Sequence, residues 1–196
     1  MCEGLIEGNN DNLTKFNLSK NLITDQGAHS LVELFKQSNT KLAELYLGWN
    51  KITGPGACSI AEIMGLDTHL RVIDLCWNGL GQGHLKPGTV GQHLGEAIKR
   101  NNSIIHFDLS FNKISAEDTK AIGSGLKTNN SMYGFHFRGN SGKVDSLGYL
   151  HVVEDDGRPQ ILVDQHLERP IKGVSPILIG RQLSPIRPQP RYIFND

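Results

Sequence analysis

The chain has 196 residues, and its 20 basic and 20 acidic side chains leave no formal net charge. Proteins that bind nucleic acid or a membrane surface usually carry a basic excess, so this balance argues against both classes. The sequence also lacks an apolar run near the ~20 residues that span a bilayer. Three widely spaced cysteines, at positions 2, 58 and 76, favour reduced thiols over a disulfide framework or a zinc site.

One short pattern recurs five times, in copies that begin at Leu13, Leu42, Leu70, Ile104 and Met132, spaced by 29, 28, 34 and 28 residues. Each copy has apolar residues at positions one, four and six and an asparagine at position nine, which matches the leucine-rich repeat pattern. Side chains alternate between the two faces of a strand, so a short strand in each copy would point positions four and six into the core. These inward pairs are Phe16/Leu18, Leu45/Leu47, Ile73/Leu75, Phe107/Leu109 and Phe135/Phe137.

The asparagine at position nine follows each predicted strand. The chain turns inward there, and its backbone amides would be buried without partners. A side-chain amide supplies both a donor and an acceptor, so we expect a structural ladder that links one repeat to the next. Its members are Asn21, Asn50, Asn78, Asn112 and Asn140.

Between the strands the apolar period lengthens toward 3.6 residues, which predicts a return helix in each unit. The clearest case begins at Ser115, with Asp118 three residues later in a capping-box-like start, and places Ile122 and Leu126 on one face. The third unit is six residues longer than the others and inserts four glycines, at positions 79, 81, 83 and 88. Glycine-rich turns can cradle phosphates, but neither nucleotide-binding motif is present, so we expect a protruding loop instead.

A strand and a full helix in each unit of 28 to 29 residues resemble the ribonuclease-inhibitor-like class of leucine-rich repeats. The resemblance covers about residues 1–145 and implies an α/β solenoid, a right-handed horseshoe with a parallel sheet on its concave face and helices on its convex face. It also implies a scaffold that binds protein, with no catalytic residue. Ran GTPase-activating proteins share this architecture, but no local motif singles them out. The segment from Asn129 to Leu150 is similar to the closing segment of leucine-rich repeat proteins of protists, several of them associated with cilia.

The two ends of the chain depart from the repeat. Residues 4–13 resemble the tail of a return helix, so the first unit is incomplete; we expect missing preceding repeats, with a partner-supplied cap as the alternative. Residues 146–167 are predicted to form a closing hairpin around the turn-rich sequence DDGRP. The proline-rich, mildly basic residues 168–196 are predicted to form an extended docking arm.

The candidate partner-binding residues lie on the concave face at strand positions three, five and seven, with position eight at the rim. They are Tyr46, Trp49, Asp74, Trp77, His106, Asp108, Phe111, His136 and Arg138. Adjacent strands lie ~4.8 Å apart, so Trp49, Trp77 and Phe111 should form one aromatic strip, the composition of an interface hot spot. The alternative is a self-stacking ladder that only stiffens the rim. Asp108 and His136 occupy the same position on neighbouring strands, where they could pair directly.

Two histidines and two aspartates on one face also raise the question of a metal ion or of acid–base catalysis. A flat sheet surface rarely closes around an ion, and no nucleophile is evident, so we expect no catalytic residue, metal or cofactor. The sequence therefore predicts a non-enzymatic scaffold for one or more protein partners, with no nucleic acid, membrane or small-molecule substrate. The alternative is a structural subunit of a cytoskeletal or axonemal assembly, docked through its N-terminal end and C-terminal arm. The expected location is the cytoplasm, and more narrowly the cytoskeleton or a cilium.

Overall fold

The computed structural model describes residues 12–37, 41–66, 69–146, 148–153 and 159–160, and the structural statements below concern these residues. Five short strands alternate with four helices, and three further strands follow. In chain order the elements are β1 (Lys15–Asn17), α1 (Asp25–Gln37), β2 (Glu44–Tyr46), α2 (Gly54–Gly65), β3 (Val72–Asp74), α3 (Thr89–Arg100), β4 (His106–Asp108), α4 (Ala116–Leu126), β5 (Gly134–His136), β6 (Gly142–Val144), β7 (Leu150–Val153) and β8 (Pro159–Gln160).

Strands β1 to β5 form one parallel sheet in the order of the chain, and each strand occupies positions three to five of its repeat. The register is constant, so that Phe16 lies opposite Leu45 at one end and Phe107 opposite Phe135 at the other. A parallel sheet with a helix after each of its first four strands is the predicted α/β leucine-rich repeat horseshoe. The predicted fold class is confirmed.

The core lies between the sheet and the helices. Leu45, Ile73 and Phe107, at position four of the middle repeats, are 0% exposed, as the alternation of side chains predicts. Phe16 is only half-buried, because β1 is the edge strand and has a described neighbour on one side alone. The inner faces of α2, α3 and α4 complete the core with Ile60, Met64, Leu94, Ile98, Ile122 and Leu126.

Helices α3 and α4 pack with their backbones close together. A Cβ added at Gly91 would overlap the backbone of Asp118, and one added at Gly95 would overlap the carbonyl of Ala121. From the other helix, a Cβ at Gly125 would overlap the backbone of Gly95. Glycine costs up to ~1 kcal/mol relative to alanine inside a helix, so its use here is explained by the contact that it permits.

The start of α4 has the predicted cap and also binds the preceding repeat. The Asp118 backbone N–H donates to Ser115 Oγ at 3.1 Å, and the Ser115 hydroxyl donates to the Asp118 carboxylate at 2.6 Å. The same carboxylate accepts the backbone N–H of Gly91 at 2.7 Å, which ties α4 to the first turn of α3.

The inserted residues of the third unit form the expected protruding loop, whose residues 81–87 are all exposed. Gly81 anchors its base: its N–H donates to the Asn112 carbonyl at 2.9 Å, and an added Cβ would overlap the Lys113 carbonyl. The loop ends at Gly88, whose φ of 82° lies in the left-handed region that favours glycine, just before α3 begins.

Strands β6, β7 and β8 form a small antiparallel sheet at the C-terminal end of the solenoid. Lys143 lies opposite His151, and Val153 opposite Pro159. Buried Leu150 and Val152 on β7 continue the apolar interior beyond β5. Residues 147, 154–158 and 161–167 of the predicted hairpin, which include most of its DDGRP turn, lie outside the described residues. So do the predicted docking arm and residues 4–11 of the first unit, which the sequence predicts to be incomplete. The three segment boundaries therefore remain predictions.

Candidate functional site: the concave face and its aromatic rim

Four of the five asparagines at position nine form hydrogen bonds to the preceding repeat. Asn78 shows the pattern: its side-chain Nδ2 donates to the Leu75 carbonyl at 3.1 Å and, in the preceding repeat, to the Leu47 carbonyl at 3.0 Å. Its Oδ1 accepts the backbone N–H of Ile52, also in the preceding repeat, at 3.0 Å. Asn50, Asn112 and Asn140 repeat these three contacts, whereas Asn21 donates within its own repeat. The ladder fixes the strand ends that carry the candidate site.

A second asparagine column at the start of the strands was not predicted from the sequence. Asn101 Oδ1 accepts the backbone N–H of Ser103 and of Ile104, while its Nδ2 donates to the Met64 carbonyl in the preceding repeat. Asn129 makes the equivalent contacts one repeat later. The signal was available, because asparagine or aspartate stands three residues before the start of every copy, at positions 10, 39, 67, 101 and 129.

The rim residues at position eight share a left-handed backbone conformation. Lys20, Trp49, Trp77 and Phe111 have φ of 59°, 58°, 55° and 57°, and Gly139 fills the same position in the fifth copy with φ of 77°. A bulky L-residue is rare in this region, because its Cβ crowds the following carbonyl. Only the glycine hinted at this conformation in the sequence.

The aromatic rim residues stack on one another. The ring centroids of Trp49 and Trp77 are 4.5 Å apart and those of Trp77 and Phe111 are 4.3 Å apart, with interplanar angles of 17° in both pairs. The aromatic ladder, as we call these three side chains, still leaves Trp49 40% and Trp77 41% exposed. Trp77 has a stacked ring on each side, so both of its ring faces are covered and its exposed surface consists mainly of ring edges.

Cationic side chains of the protein already lie over aromatic rings on this surface. The Arg138 guanidinium is 6.0 Å from the Phe111 ring centroid. Lys15 Nζ lies 4.8 Å from the Tyr46 ring centroid and forms an ion pair with Glu44 at 2.8 Å. The Tyr46 hydroxyl donates to the same Glu44 carboxylate at 2.8 Å, so that Glu44, with its lowered pKa, remains charged. Burial opposes this lowering, but the contacts with Lys15 and Tyr46 outweigh it.

Asp74 and Asp108 lie opposite each other at position five of β3 and β4, and both are half-buried. Each carboxylate accepts a backbone N–H two residues later, from Cys76 and from Ser110, at 2.8 Å. Burial raises the pKa of Asp74, and the negative charge of Asp108 adds to the effect, against the lowering by the hydrogen bonds from Cys76. Neither carboxylate forms an ion pair within the described residues.

His106 and His136 lie next to this acidic pair, with ring centroids 4.9 Å apart. Burial and, to a smaller extent, the neighbouring His136 lower the pKa of His106 to about 4, against the opposing effect of the Asp108 charge. His136 lies opposite Asp108 in the sheet, but the direct pair that the sequence suggested is not formed. Its buried Nε2 atom has no hydrogen-bond partner among the described residues.

Asp74, Cys76 and Asp108 each place one potential metal-ligand atom within 4.8 Å of the other two. The chemistry of this set is poor for a metal ion, because thiols bind metals as thiolates. Burial and the adjacent Asp74 and Asp108 carboxylates raise the pKa of the Cys76 thiol far above its ordinary range, which keeps it protonated. The arrangement is instead a pair of half-buried carboxylates on neighbouring strands of the concave face.

Comparisons with known proteins agree with this architecture. Residues 9–32, 38–61 and 100–123 match the family described as Leucine Rich repeat. The chain is 28% identical over 153 residues, 76% of its length, to the NACHT, LRR and PYD domains-containing protein 3 of Bos taurus. It is 33% identical over 114 residues, 56% of its length, to the ribonuclease inhibitor of Mus musculus. The matched segments span 14% and 24% of these two relatives, so the chain corresponds to a minor part of either.

Two solved structures have a similar fold. One is leiomodin-1 actin-binding site 2, with a TM-score of 0.59 and 15% identity over 70% of this chain and 76% of that one. The other is the tropomodulin C-terminal domain of Caenorhabditis elegans, with a TM-score of 0.56 and 16% identity over 69% of this chain and 81% of that one. Among the described residues, no helix has the length and apolar character needed to cross a membrane.

Proposed function

The chain is a leucine-rich repeat protein of the ribonuclease-inhibitor-like class, and from this premise we propose that it is a non-enzymatic scaffold. It binds a protein partner through the concave face and the aromatic ladder. No reaction, cofactor, nucleic acid or membrane takes part in this role.

The single observation that carries the proposal is the exposed aromatic ladder in a left-handed backbone conformation. An L-residue in this conformation costs roughly 1–2 kcal/mol, and glycine avoids the cost. Gly139 shows that the repeat accepts glycine at this position. Large aromatic side chains with exposed edges are typical of interface hot spots, and backbone strain often accompanies function.

A purely structural role is the competing interpretation, because stacked aromatic pairs contribute ~0.5–1.5 kcal/mol each beyond the area that they bury. Capture of proteins from a cell extract on the immobilised full-length chain separates the two roles. We expect Trp49→Ala/Trp77→Ala to lose proteins that the wild type retains. Urea unfolding curves of both chains would first establish that each is folded under the conditions of the capture experiment. Tyr133→Ala is the matched control, because Tyr133 is 41% exposed and lies outside the ladder. Identical captured proteins from the wild type and the double variant would refute a binding role.

The second candidate function is a structural subunit of a cytoskeletal or axonemal assembly, docked through the N-terminal end and residues 168–196. The similarity of the fold to leiomodin-1 actin-binding site 2 makes filamentous actin a rational first probe. Co-sedimentation of the full-length chain with actin filaments, compared with a chain that lacks residues 168–196 and with Trp77→Ala, tests it. Loss of co-sedimentation on the deletion alone would favour the structural-subunit role over the concave scaffold. The cytoplasm, the cytoskeleton or a cilium is the location that fits either role.

A further inference from the structure

The rim of the concave face carries charge of one sign. Positions seven to eleven of the five copies, where each strand ends and the chain turns, contain four basic residues and no aspartate or glutamate. The chain as a whole has equal numbers of basic and acidic side chains, so positive charge is concentrated at this rim. The basic rim, as we call these four residues, consists of Lys20, Lys51, Lys113 and Arg138, and all four are exposed.

The basic rim borders the aromatic ladder. The Arg138 guanidinium lies 6.0 Å from the Phe111 ring centroid. Lys51 and Lys113 follow Trp49 and Phe111 by two residues, which keeps the Cα atoms of each pair within ~7 Å of each other. The ion pairs within the described residues are formed by other side chains, so these three cations are not neutralised there by a carboxylate.

The exposed part of the ladder has the same electrostatic preference as the basic rim. Trp77 has a stacked ring on each face, at centroid distances of 4.5 and 4.3 Å. Phe111 has Trp77 on one face, and on the side of the fifth repeat a Cβ added at Gly139 would overlap its ring. The edge of an aromatic ring carries partial positive charge, whereas the face carries partial negative charge. A partner that meets ring edges beside lysine and arginine is therefore favoured if it carries negative charge.

The aspartates of the concave face limit where such a partner can lie. Asp74 and Asp108 are half-buried at position five of β3 and β4, and each accepts the backbone N–H of position seven, from Cys76 and Ser110. Their negative charges repel an acidic ligand from the floor of the horseshoe. The negatively charged partner segment is thereby directed along the rim.

We propose that the basic rim and the aromatic ladder bind an extended, acidic segment of the protein partner. Neighbouring strands are ~4.8 Å apart, so the five repeats between Lys20 and Arg138 place ~19 Å of rim in a row. An extended chain advances ~3.3 Å per residue, so about six residues cover this length. Carboxylates of the segment pair with the basic rim and contact the ring edges between its members. This inference rests on the proposed scaffold function and names the chemistry of the segment that the rim recognises.

Tryptophan fluorescence of the full-length chain reports on this surface alone, because both tryptophans of the chain belong to the ladder. The probes are the peptide acetyl-(Glu-Gly)3-amide and its uncharged counterpart acetyl-(Gln-Gly)3-amide, titrated at low ionic strength. We expect the glutamate peptide to change the emission and to saturate at millimolar concentration, and the glutamine peptide to leave the emission unchanged. Addition of ~0.5 M salt should weaken the glutamate peptide severalfold, because exposed charges are screened.

Two double variants with the same change in net charge test the location. Lys51→Gln/Lys113→Gln should weaken binding of the glutamate peptide at least threefold, because it removes two cations beside the ladder. Lys86→Gln/Lys120→Gln is the matched control, since it removes two exposed lysines from the protruding loop and from α4, and it should bind as the wild type. Equal weakening by both variants would overturn the inference, because net charge alone would then explain the effect. Equal responses to the two peptides would overturn it as well.

Tetrathymidylate is the third probe, because its three phosphates match the charge of the glutamate peptide. Weaker binding of tetrathymidylate supports a protein segment as the ligand, and tighter binding that depends on Lys51 and Lys113 would identify a nucleic-acid surface and overturn the inference. The capture experiment separates this inference from the scaffold function. If Trp49→Ala/Trp77→Ala loses its captured proteins while Lys51→Gln/Lys113→Gln keeps them, the scaffold stands and the acidic segment is wrong.

Discussion

Shared carbonyls make the asparagine ladder cooperative in a way that can be measured. The Leu47 carbonyl accepts from Asn50 at 2.9 Å and from Asn78 at 3.0 Å, and the Leu75 carbonyl accepts from Asn78 and Asn112 in the same way. Replacing Asn78 by alanine leaves each of these carbonyls with one asparagine donor. The group that loses its side-chain partner in Asn78→Ala is the buried N–H of Ile52.

The expected cost of Asn78→Ala is therefore that of one unsatisfied buried donor plus the lost contacts, about 1–3 kcal/mol. In Asn50→Ala/Asn78→Ala the Leu47 carbonyl loses both asparagine donors at once. We expect this adjacent double variant to be less stable than the sum of its single variants, by about 1 kcal/mol. Asn50 and Asn112 share no carbonyl, so Asn50→Ala/Asn112→Ala should be additive.

Equilibrium unfolding in urea of the wild type, the three single variants and the two double variants provides the two interaction energies. The reasoning is refuted if the adjacent pair shows no larger interaction energy than the separated pair. It would then follow that the carbonyls find other partners once the side chains are removed.

Three further predictions follow from the packing, the rim and the buried histidine. Gly125→Ala should lower the free energy of unfolding by ~1–3 kcal/mol, because the added Cβ would overlap the Gly95 backbone. Gly65→Ala, where an added Cβ has no atom within 4 Å, should raise it by up to ~1 kcal/mol in the same urea assay. Trp77→Gly should be more stable than Trp77→Ala by about 1 kcal/mol, since glycine tolerates the φ of 55°; the usual order, with alanine more stable, would contradict a strained rim. His106, with a pKa of about 4 in the folded chain, takes up its proton more readily when unfolded, so its contribution of ~2–3 kcal/mol should be lost as the pH falls from about 7 to 4. His106→Gln should remove that part of the acid sensitivity. The raised pKa of Asp74 acts in the opposite direction, because it stabilises the folded chain as the pH falls. Equal slopes of unfolding free energy against pH for the wild type and His106→Gln would contradict the role given to His106.

The repeat period and the alternation within each copy were enough to predict the fold. They determine which side chains enter the core, and the solvent-shielded turn after each strand explains the asparagine at position nine. Both features follow from which residues are buried within one repeat, so the same signal recurs in each of the five copies. The cap of α4 at Ser115 was predictable for the same reason, because a helix start needs an acceptor close by in the chain.

The sequence could not predict the features that depend on the exact path of the backbone. The sequence predicts that Trp49 and Trp77 lie at the rim. Their left-handed conformation depends on how the backbone turns after the strand, and only the glycine at the equivalent position, Gly139, indicates it in the sequence. The register that places Asp108 opposite His136 was predicted correctly. The Asp108 carboxylate nevertheless accepts the backbone N–H of Ser110 rather than bonding to His136, and the register alone does not determine that choice. The second asparagine column, which includes Asn101 and Asn129, could be found from its recurrence in the sequence. It is hard to recognise because asparagine is common in polar turns for other reasons.

The glycine contact between α3 and α4 also affects the curvature of the solenoid. A horseshoe bends because its helices are wider than the spacing of its strands, so each repeat rotates away from the next. Gly91, Gly95 and Gly125 let two helices approach more closely than side chains would allow, which reduces this rotation between the third and fourth repeats. We therefore expect the arc to be flattest behind β3 and β4, which would make the approach to the concave surface broadest at the strands that carry Asp74 and Asp108.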